Sequence, residues 1–379
     1  PVSEWQAYLR FHAIDSASNA LSKSFRDNRF AFYGTTLAGQ PKQQDRWKQV
    51  LGGVNESMGQ GLGELYVAKV FTPEAKQRAE ELVSNVRDAL KDRIEHLDWM
   101  SDATKAKAID KWNLFLPKIG YPDKGEWRDW AGLKISPDNW YANLEAAQKY
   151  NYDYDLSHIG KTTDRKEWGM TPQTVNAYYD PSTNTINFPA AILQPPFFYA
   201  NGDDPINYGG IGAVIGHEAG HGFDDEGSQF DAAGNLRDWW SASTKKQFAD
   251  ATKCVVDQYS QYEAVPGVKL DGKLTAGENI ADNGGVKLAY EAYHTWRAGK
   301  DVPRTVEGYS DDQLYYLAYA QSWCEKVTPE LLETMAHSNP HSPPMWRVNG
   351  VIVNQPGFGA AFSCKAGTPM NPGKTCGVW

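Results

Sequence analysis

Long apolar runs are missing from this sequence. None reaches the ~18 residues that a membrane-spanning helix needs; the longest, such as Ala190–Leu193, stop at Gln or Pro. A basic excess is missing too. There are 38 Lys and Arg against 47 Asp and Glu, a formal charge of −9, which argues against nucleic acid as a partner, because that needs a net basic face. Cysteine is scarce. The four, Cys254, Cys324, Cys364 and Cys376, lie in the last third and none has a C-x-x-C spacing, which excludes the common zinc-ribbon and dithiol redox patterns. Their even number leaves two readings open: disulfides of an oxidising compartment or buried thiols. The opening Pro1-Val2-Ser3-Glu4-Trp5 has no initiator Met, basic n-region or apolar h-region. Either a signal peptide has been removed or the chain begins inside a longer protein. Internal repeats and low-complexity segments are absent.

What is present is an ordinary globular composition. The 379 residues are 41% hydrophobic and 22% charged, enough for two or three domains and a sizeable core. The 14 Trp and 20 Tyr suit a packed interior and aromatic-lined pockets. The first part reads as helices. Ser3-x-x-Gln6 has the form of a capping box, followed by a stripe of Trp5, Leu9, Ala13, Ala17 and Leu21. Thr72-Pro73-Glu74 predicts a helix start, and Leu82, Val86, Leu90 and Ile94 at steps of four predict a helix to about Trp99. Ser101 opens another helix, expected to end near Ile119–Pro122. Residues 123–175 are polar and aromatic with weak periodicity. Two β-prone runs around Asp180–Asn184 predict a hairpin. Helices are expected again at about 209–223, 243–262, 277–297 and 310–325, the last opened by Ser310-x-x-Gln313. The simplest division is a helical domain over 1–122 and an α+β domain over 123–379.

The chemistry concentrates in Val214-Ile215-Gly216-His217-Glu218-Ala219-Gly220-His221. On a helix, His217 and His221 lie on one face, one turn apart, and can hold one zinc ion at ~2.0–2.1 Å. Glu218 projects beside the metal, placed to take a proton from the attacking water and pass it to the leaving amine. A catalytic zinc needs a third ligand and an open position. Glu278 offers the ligand. Asp282, one turn further, can accept the free imidazole N–H of a ligand histidine and fix its tautomer. By themselves, two such acids are more often a solvated face than a ligand pair.

Several segments together resemble the neprilysin family of zinc metallopeptidases, which includes endothelin-converting enzymes and bacterial secreted oligopeptidases. They are Val214–Asp225, Glu278–Gly285, Asn176-Ala177, Phe188–Phe198 and the terminal Cys376-Gly377-Val378-Trp379. N-terminal stretches, among them those containing Trp5–Ala17 and Leu62–Phe71, resemble the family's helical domain. The resemblance implies an α+β, mostly helical fold: a thermolysin-like (gluzincin) catalytic domain plus part of a helical capping domain. It implies one zinc held by His217, His221 and Glu278, with Glu218 as general base and acid and Asp282 orienting His217. His341 would stabilise the oxyanion and Arg347 would hold a substrate carbonyl. Asn176 and Ala177 would bind the substrate main chain, and Val214 and Trp323 would wall the pocket for the residue after the cleaved bond. The activity implied is endopeptidase cleavage of oligopeptides on the amino side of hydrophobic residues.

Family members carry a comparable stretch upstream that this chain lacks. The resemblance therefore also implies an N-terminal segment, or a second chain of the same protein, as a partner. It pairs Cys254 with Cys376 and leaves Cys324 and Cys364 free, bridged to each other, or bridged to that partner. The expected location is secreted or periplasmic, with anchoring through a missing N-terminus left open. Two alternatives compete: half of a split or truncated peptidase, inactive without its N-terminal segment, and a non-catalytic zinc-binding scaffold. The retained Glu218 speaks against the second.

Overall fold

A computed structural model describes residues 1–302 and 304–379. Fourteen α-helices are formed among the described residues. The first six are α1 (Val2–Ala17), α2 (Lys23–Arg29), α3 (Arg46–Val70), α4 (Pro73–His96), α5 (Asp102–Asn113) and α6 (Trp140–Leu156). Next come α7 (Asp204–Asn207), α8 (Ala213–His221), α9 (Ala242–Tyr259) and α10 (Ala276–Arg297). The last are α11 (Asp311–Ser322), α12 (Pro329–Ser338), α13 (Pro344–Ile352) and α14 (Pro356–Ala361). Strands β1 (Leu116–Gly120), β2 (Tyr178–Asp180) and β3 (Thr185–Pro189) form one sheet in the order β1-β3-β2. A small hairpin joins β4 (Glu263–Val265) and β5 (Val268–Lys269). No helix among the described residues is long and apolar enough to cross a membrane.

The chain gathers into two compact units that interleave in sequence. One comprises residues 1–65, 123–163 and 327–334; the other comprises 66–122, 164–326 and 335–379. Pro122 is thus one of several crossings. The stretch from Tyr66 to Pro122 belongs with the larger unit because α4 packs on α10 and α8.

In the larger unit the predicted stripe of α4 is the core. Leu82, Val86, Leu90 and Ile94 are all buried, each worth ~1.5–3 kcal/mol relative to exposure. Thr72 caps this helix by accepting from the Ala75 backbone N–H, and Ser101 does the same for α5 from Thr104. At Ser310 both halves of the capping box form. The expected hairpin is β2–β3, and all five residues of β3 are buried.

Four expectations differ from the structure. The Ser3-x-x-Gln6 box does not form, because α1 already begins at Val2 and has no side-chain cap. Helix α4 stops at His96, not Trp99. Helix α5 stops at Asn113, and Leu116–Gly120 is a strand paired parallel to β3, with Leu116 opposite Thr185. Pro117 explains this: it lacks the N–H that a helix interior requires, and its ring would clash with the carbonyl four residues back. Finally, the weakly periodic stretch 123–175 contains α6, which belongs to the smaller unit.

Candidate active site

Residues Asp204–His221 run as one continuous helical path, α7 and α8 joined by a π-helical turn over Tyr208–Gly212. Seven of the nine residues of α8 are buried, including both His217 and Glu218. The helix lies against α10 at backbone distance. A Cβ on Gly216 would stand 2.6 Å from the Gly285 carbonyl oxygen, and one on Gly285 would stand 2.5 Å from the His217 nitrogen. Only glycine permits this approach. It brings the first turns of α10, with Glu278 and Asp282, against the histidine face of α8.

The donor atoms converge there. His217 Nε2 and His221 Nε2 are 2.9 Å apart. Glu278 places Oε2 3.3 Å from the first and Oε1 3.6 Å from the second. Three atoms bound tetrahedrally to zinc at ~2.0–2.1 Å would be ~3.4 Å apart, so these separations suit one ion. A carboxylate stands at each outer nitrogen: His221 Nδ1 hydrogen-bonds to Asp224 Oδ2 at 2.6 Å, while His217 Nδ1 lies 2.8 Å from Asp282 Oδ1, an ion-pair contact without hydrogen-bond alignment. With Nδ1 protonated on both rings, both Nε2 lone pairs point at the same spot, and a cation resolves the conflict. The electrostatics agree. Burial pulls the His217 imidazole down, but Asp282 and Glu278 outweigh it and push it up to about 10. A site that draws a proton this strongly has negative charge to offer a dication. The donor set therefore fits zinc.

Two carboxylates are within reach of the histidines. Glu218 also lies with them in a group whose donor atoms are within 4.8 Å of one another. Glu278 is the carboxylate that sets one oxygen 3.3 Å from His217 Nε2 and the other 3.6 Å from His221 Nε2. Burial raises the Glu218 carboxyl above its ordinary range, which suits a group that accepts and returns a proton. Glu278 is held well below the usual range: His217, His221 and Arg347 outweigh its burial. Asp282 is also lowered, with burial outweighed by Arg347 and His217.

Arg347 on α13 forms a two-pronged pair with Asp282, Nε to Oδ2 and Nη2 to Oδ1, both at 2.7 Å; Nη2 also reaches Glu278 at 3.4 Å. The Trp323 ring lies 4.0 Å from the guanidinium carbon, and the Tyr319 hydroxyl donates to the Arg347 carbonyl. Most of the guanidinium is thus committed to carboxylates, and Nη1 is the nitrogen that neither carboxylate engages. His341 precedes α13 and sets Nε2 3.3 Å from Glu278 Oε1.

All the residues singled out from the sequence, the cysteine pair apart, line one cavity of about 760 Å³: Asn176, Ala177, Val214, His217, Glu218, His221, Glu278, Asp282, Trp323, His341 and Arg347. Asn176 and Ala177 directly precede β2, one of the two edge strands of its sheet, where an extended peptide could add as a strand. Cys254 and Cys376 are bridged across 122 positions; Cys324 and Cys364 are free thiols. The sequence reading missed Asp224. Its Oδ1 accepts from the backbone N–H groups of Glu226 and Gly227 while Oδ2 holds His221. The turn it organises is clamped by buried Lys111, which donates to the carbonyls of Gly227 and Phe230 at 2.7 and 2.8 Å. The available signal was a carboxylate three residues after a candidate ligand.

Two family profiles, both described as peptidase family M13, match residues 176–378 and 1–122. The chain belongs to peptidase family M13, and its mostly helical α+β, thermolysin-like fold is the class expected from the sequence. It is 39% identical over 386 residues to Neprilysin-1 of Caenorhabditis elegans, covering 98% of this chain and 51% of the relative. Among solved structures it is similar to the Mycobacterium tuberculosis zinc metalloprotease Zmp1 in complex with an inhibitor. That match has a TM-score of 0.93 and 40% identity, over 100% of this chain and 58% of that one. PepO from Lactobacillus rhamnosis HN001 gives a TM-score of 0.87 and 32% identity over 100% and 58%. The chain spans about half the length of the curated relatives it matches.

Proposed function

We propose that this chain carries the catalytic machinery of a zinc-dependent endopeptidase that hydrolyses oligopeptides on the amino side of hydrophobic residues. One observation carries the reading: two imidazole Nε2 atoms 2.9 Å apart, each ring with its own carboxylate within 3 Å of Nδ1, with Glu278 facing them and buried Glu218 beside them. His217, His221 and Glu278 would hold one zinc ion, which when bound supplies Lewis acidity to the scissile carbonyl and the attacking water. Glu218 removes a proton from that water as its oxygen bonds to the carbonyl carbon. As the C–N bond breaks, the same proton passes from Glu218 to the amine. Asp282 keeps His217 in one tautomer. His341 donates to the developing oxyanion, and Arg347, through Nη1, meets a substrate carbonyl. Asn176 and Ala177 align the peptide main chain, and Val214 and Trp323 form the apolar wall that would receive the residue after the cleaved bond.

The domain assignment belongs to the same proposal: residues 1–122 as part of a helical capping domain and 123–379 as the catalytic domain, in a secreted or periplasmic protein. A second reading, a half-peptidase that is inactive without an N-terminal segment or second chain, is favoured by two observations. The chain covers 51% of the C. elegans relative, and α1 buries none of its residues. Incubating the purified chain with an internally quenched peptide, with and without a chelator, tests both. Chelator-sensitive cleavage supports the first reading. No cleavage by a sample shown to contain zinc overturns it in favour of the second.

A further inference from the structure

Lys111 on α5 is fully buried, its amine 5.6 Å from the rings of Tyr179 and Phe223 and 5.9 Å from that of Trp239. The amine crosses to the loop after α8, where it donates to the carbonyls of Gly227 and Phe230. Each carbonyl also has a donor close by in sequence: the Phe230 N–H for Gly227 and the Trp239 indole N–H for Phe230. Those donors travel with the loop. Lys111 does not, because it stands on a separate helix. Its own backbone is fixed independently, since the Lys111 carbonyl accepts from the Asn184 side chain in the turn between β2 and β3. The same loop holds Asp224. The Gly227 N–H donates to Asp224 Oδ1 at 2.7 Å and the Glu226 N–H does so at 3.0 Å, while His221 Nδ1 donates to Asp224 Oδ2 at 2.6 Å. Gly227 therefore joins Lys111, at its carbonyl, to Asp224, at its N–H. The loop also lies on the end of α8, where a Cβ on Gly227 would collide with the His221 carbonyl oxygen.

We propose that Lys111 is a positioning residue for the metal site: it anchors the loop of Asp224–Phe230 to α5, so that Asp224 stays on His221 and the His221 ring keeps Nε2 aimed at the ion. The anchoring follows from the hydrogen bonds; its consequence for zinc rests on the peptidase reading above. A polar group keeps its direction when its surroundings are packed and its partners are fixed. Without the anchor the loop is tied down only by bonds that move with it or lie beyond Phe230. Asp224 then loses its fixed direction, and the His221 ring has to be ordered as the ion binds.

Two measurements test this: zinc affinity of the folded chain, by competition with a chelator, and amide hydrogen exchange at Gly227 in the metal-free chain. Lys111→Met removes the donor and keeps most of the volume. It should weaken zinc binding about 10-fold, the low end for a residue that supports a ligand, and speed exchange at Gly227. Asp224→Ala should lose about 10- to 100-fold. Because Lys111 acts through Asp224, the two losses should not multiply, and the double variant should stay within about threefold of Asp224→Ala alone. A lysine with a merely structural role would give the full product, and that result overturns the proposal. So does unchanged zinc affinity, or unchanged exchange at Gly227, in Lys111→Met. If Lys111→Met does not fold, Lys111→Gln, whose side chain is one atom shorter, carries the same cycle with the same expected signs. Faster Gly227 exchange in the variant, with no zinc taken up by any chain, wild type included, would support the anchoring and count against the peptidase reading instead.

Discussion

In the smaller unit α1 buries none of its 16 residues, and Trp5, Leu9 and Phe11 are each more than 60% exposed. In the larger unit α10 buries 13 of 22, among them Asn279, Asp282 and Asn283, every one with a partner. The difference shows where this chain can afford exact placement. A polar group holds a fixed direction when its surroundings are packed and its hydrogen bonds are complete. All the candidate catalytic groups lie in the larger unit. Exposed α1 is tied to the following segment near its end, where Asp15 pairs with Arg29 at 2.6 Å and accepts from Tyr33, and its own helical interactions are weak for a helix of this length.

Substitutions can break or sharpen that contrast. The largest effect is expected at the site itself. Glu218→Gln should keep its zinc and lose at least about 100-fold in turnover, the low end for general acid–base catalysis; retained turnover in a zinc-replete sample would sink the proposed role. Glu278→Ala should lose more zinc affinity than the roughly 10–100-fold typical of an outer-shell partner, and unchanged metal content by atomic spectroscopy would mean the third ligand lies elsewhere. In the packed core, Leu90→Ala should cost about 2–5 kcal/mol, read from denaturant unfolding.

Lys111 gives a smaller, pH-dependent effect. Burial pushes its amine down from the ordinary 10.5 to about 7. Between these values the unfolded chain holds a proton that the folded chain lacks, so this group makes stability rise with pH across that window, by at most about 1.4 kcal/mol per unit. The stability of wild type minus Lys111→Met should therefore grow from pH 7 to pH 10, and a flat difference would contradict it. The smallest effect is expected in the other unit. Trp5→Ala should change the stability of this chain by no more than about 0.5 kcal/mol; a loss like that of Leu90→Ala would show that α1 is not an open face.

Much of the site was legible because its spacing is helical. His217, Glu218 and His221 form a local pattern on one helix, and Glu278 and Asp282 are one turn apart on another. What could not be read locally was which elements meet. The strand at Leu116–Gly120 exists through pairing with β3, almost seventy residues on, and nothing within its own five residues encodes that partner. Asp224 was missed for a related reason. It lies three residues after the histidine it holds, but the contact depends on a turn past a helix end, where periodicity carries no signal. For Arg347 the residue was found, and the structure adds that most of its donors are engaged by Asp282 and Glu278.

The backbone contact between Gly216 and Gly285 has a consequence for how this protein can vary. The spacing of the two ligand-bearing helices is set by the absence of side chains at their closest point, with a hypothetical Cβ already inside contact distance of the opposing main chain. Rotamer changes elsewhere can be absorbed by neighbours, but this gap has no adjustable part. A methyl group at either glycine would wedge the helices apart and carry Glu278 away from the histidines, although neither glycine touches a metal or a peptide. Routes of sequence change that enlarge these two positions are therefore closed, while the exposed face of α1 tolerates wide substitution.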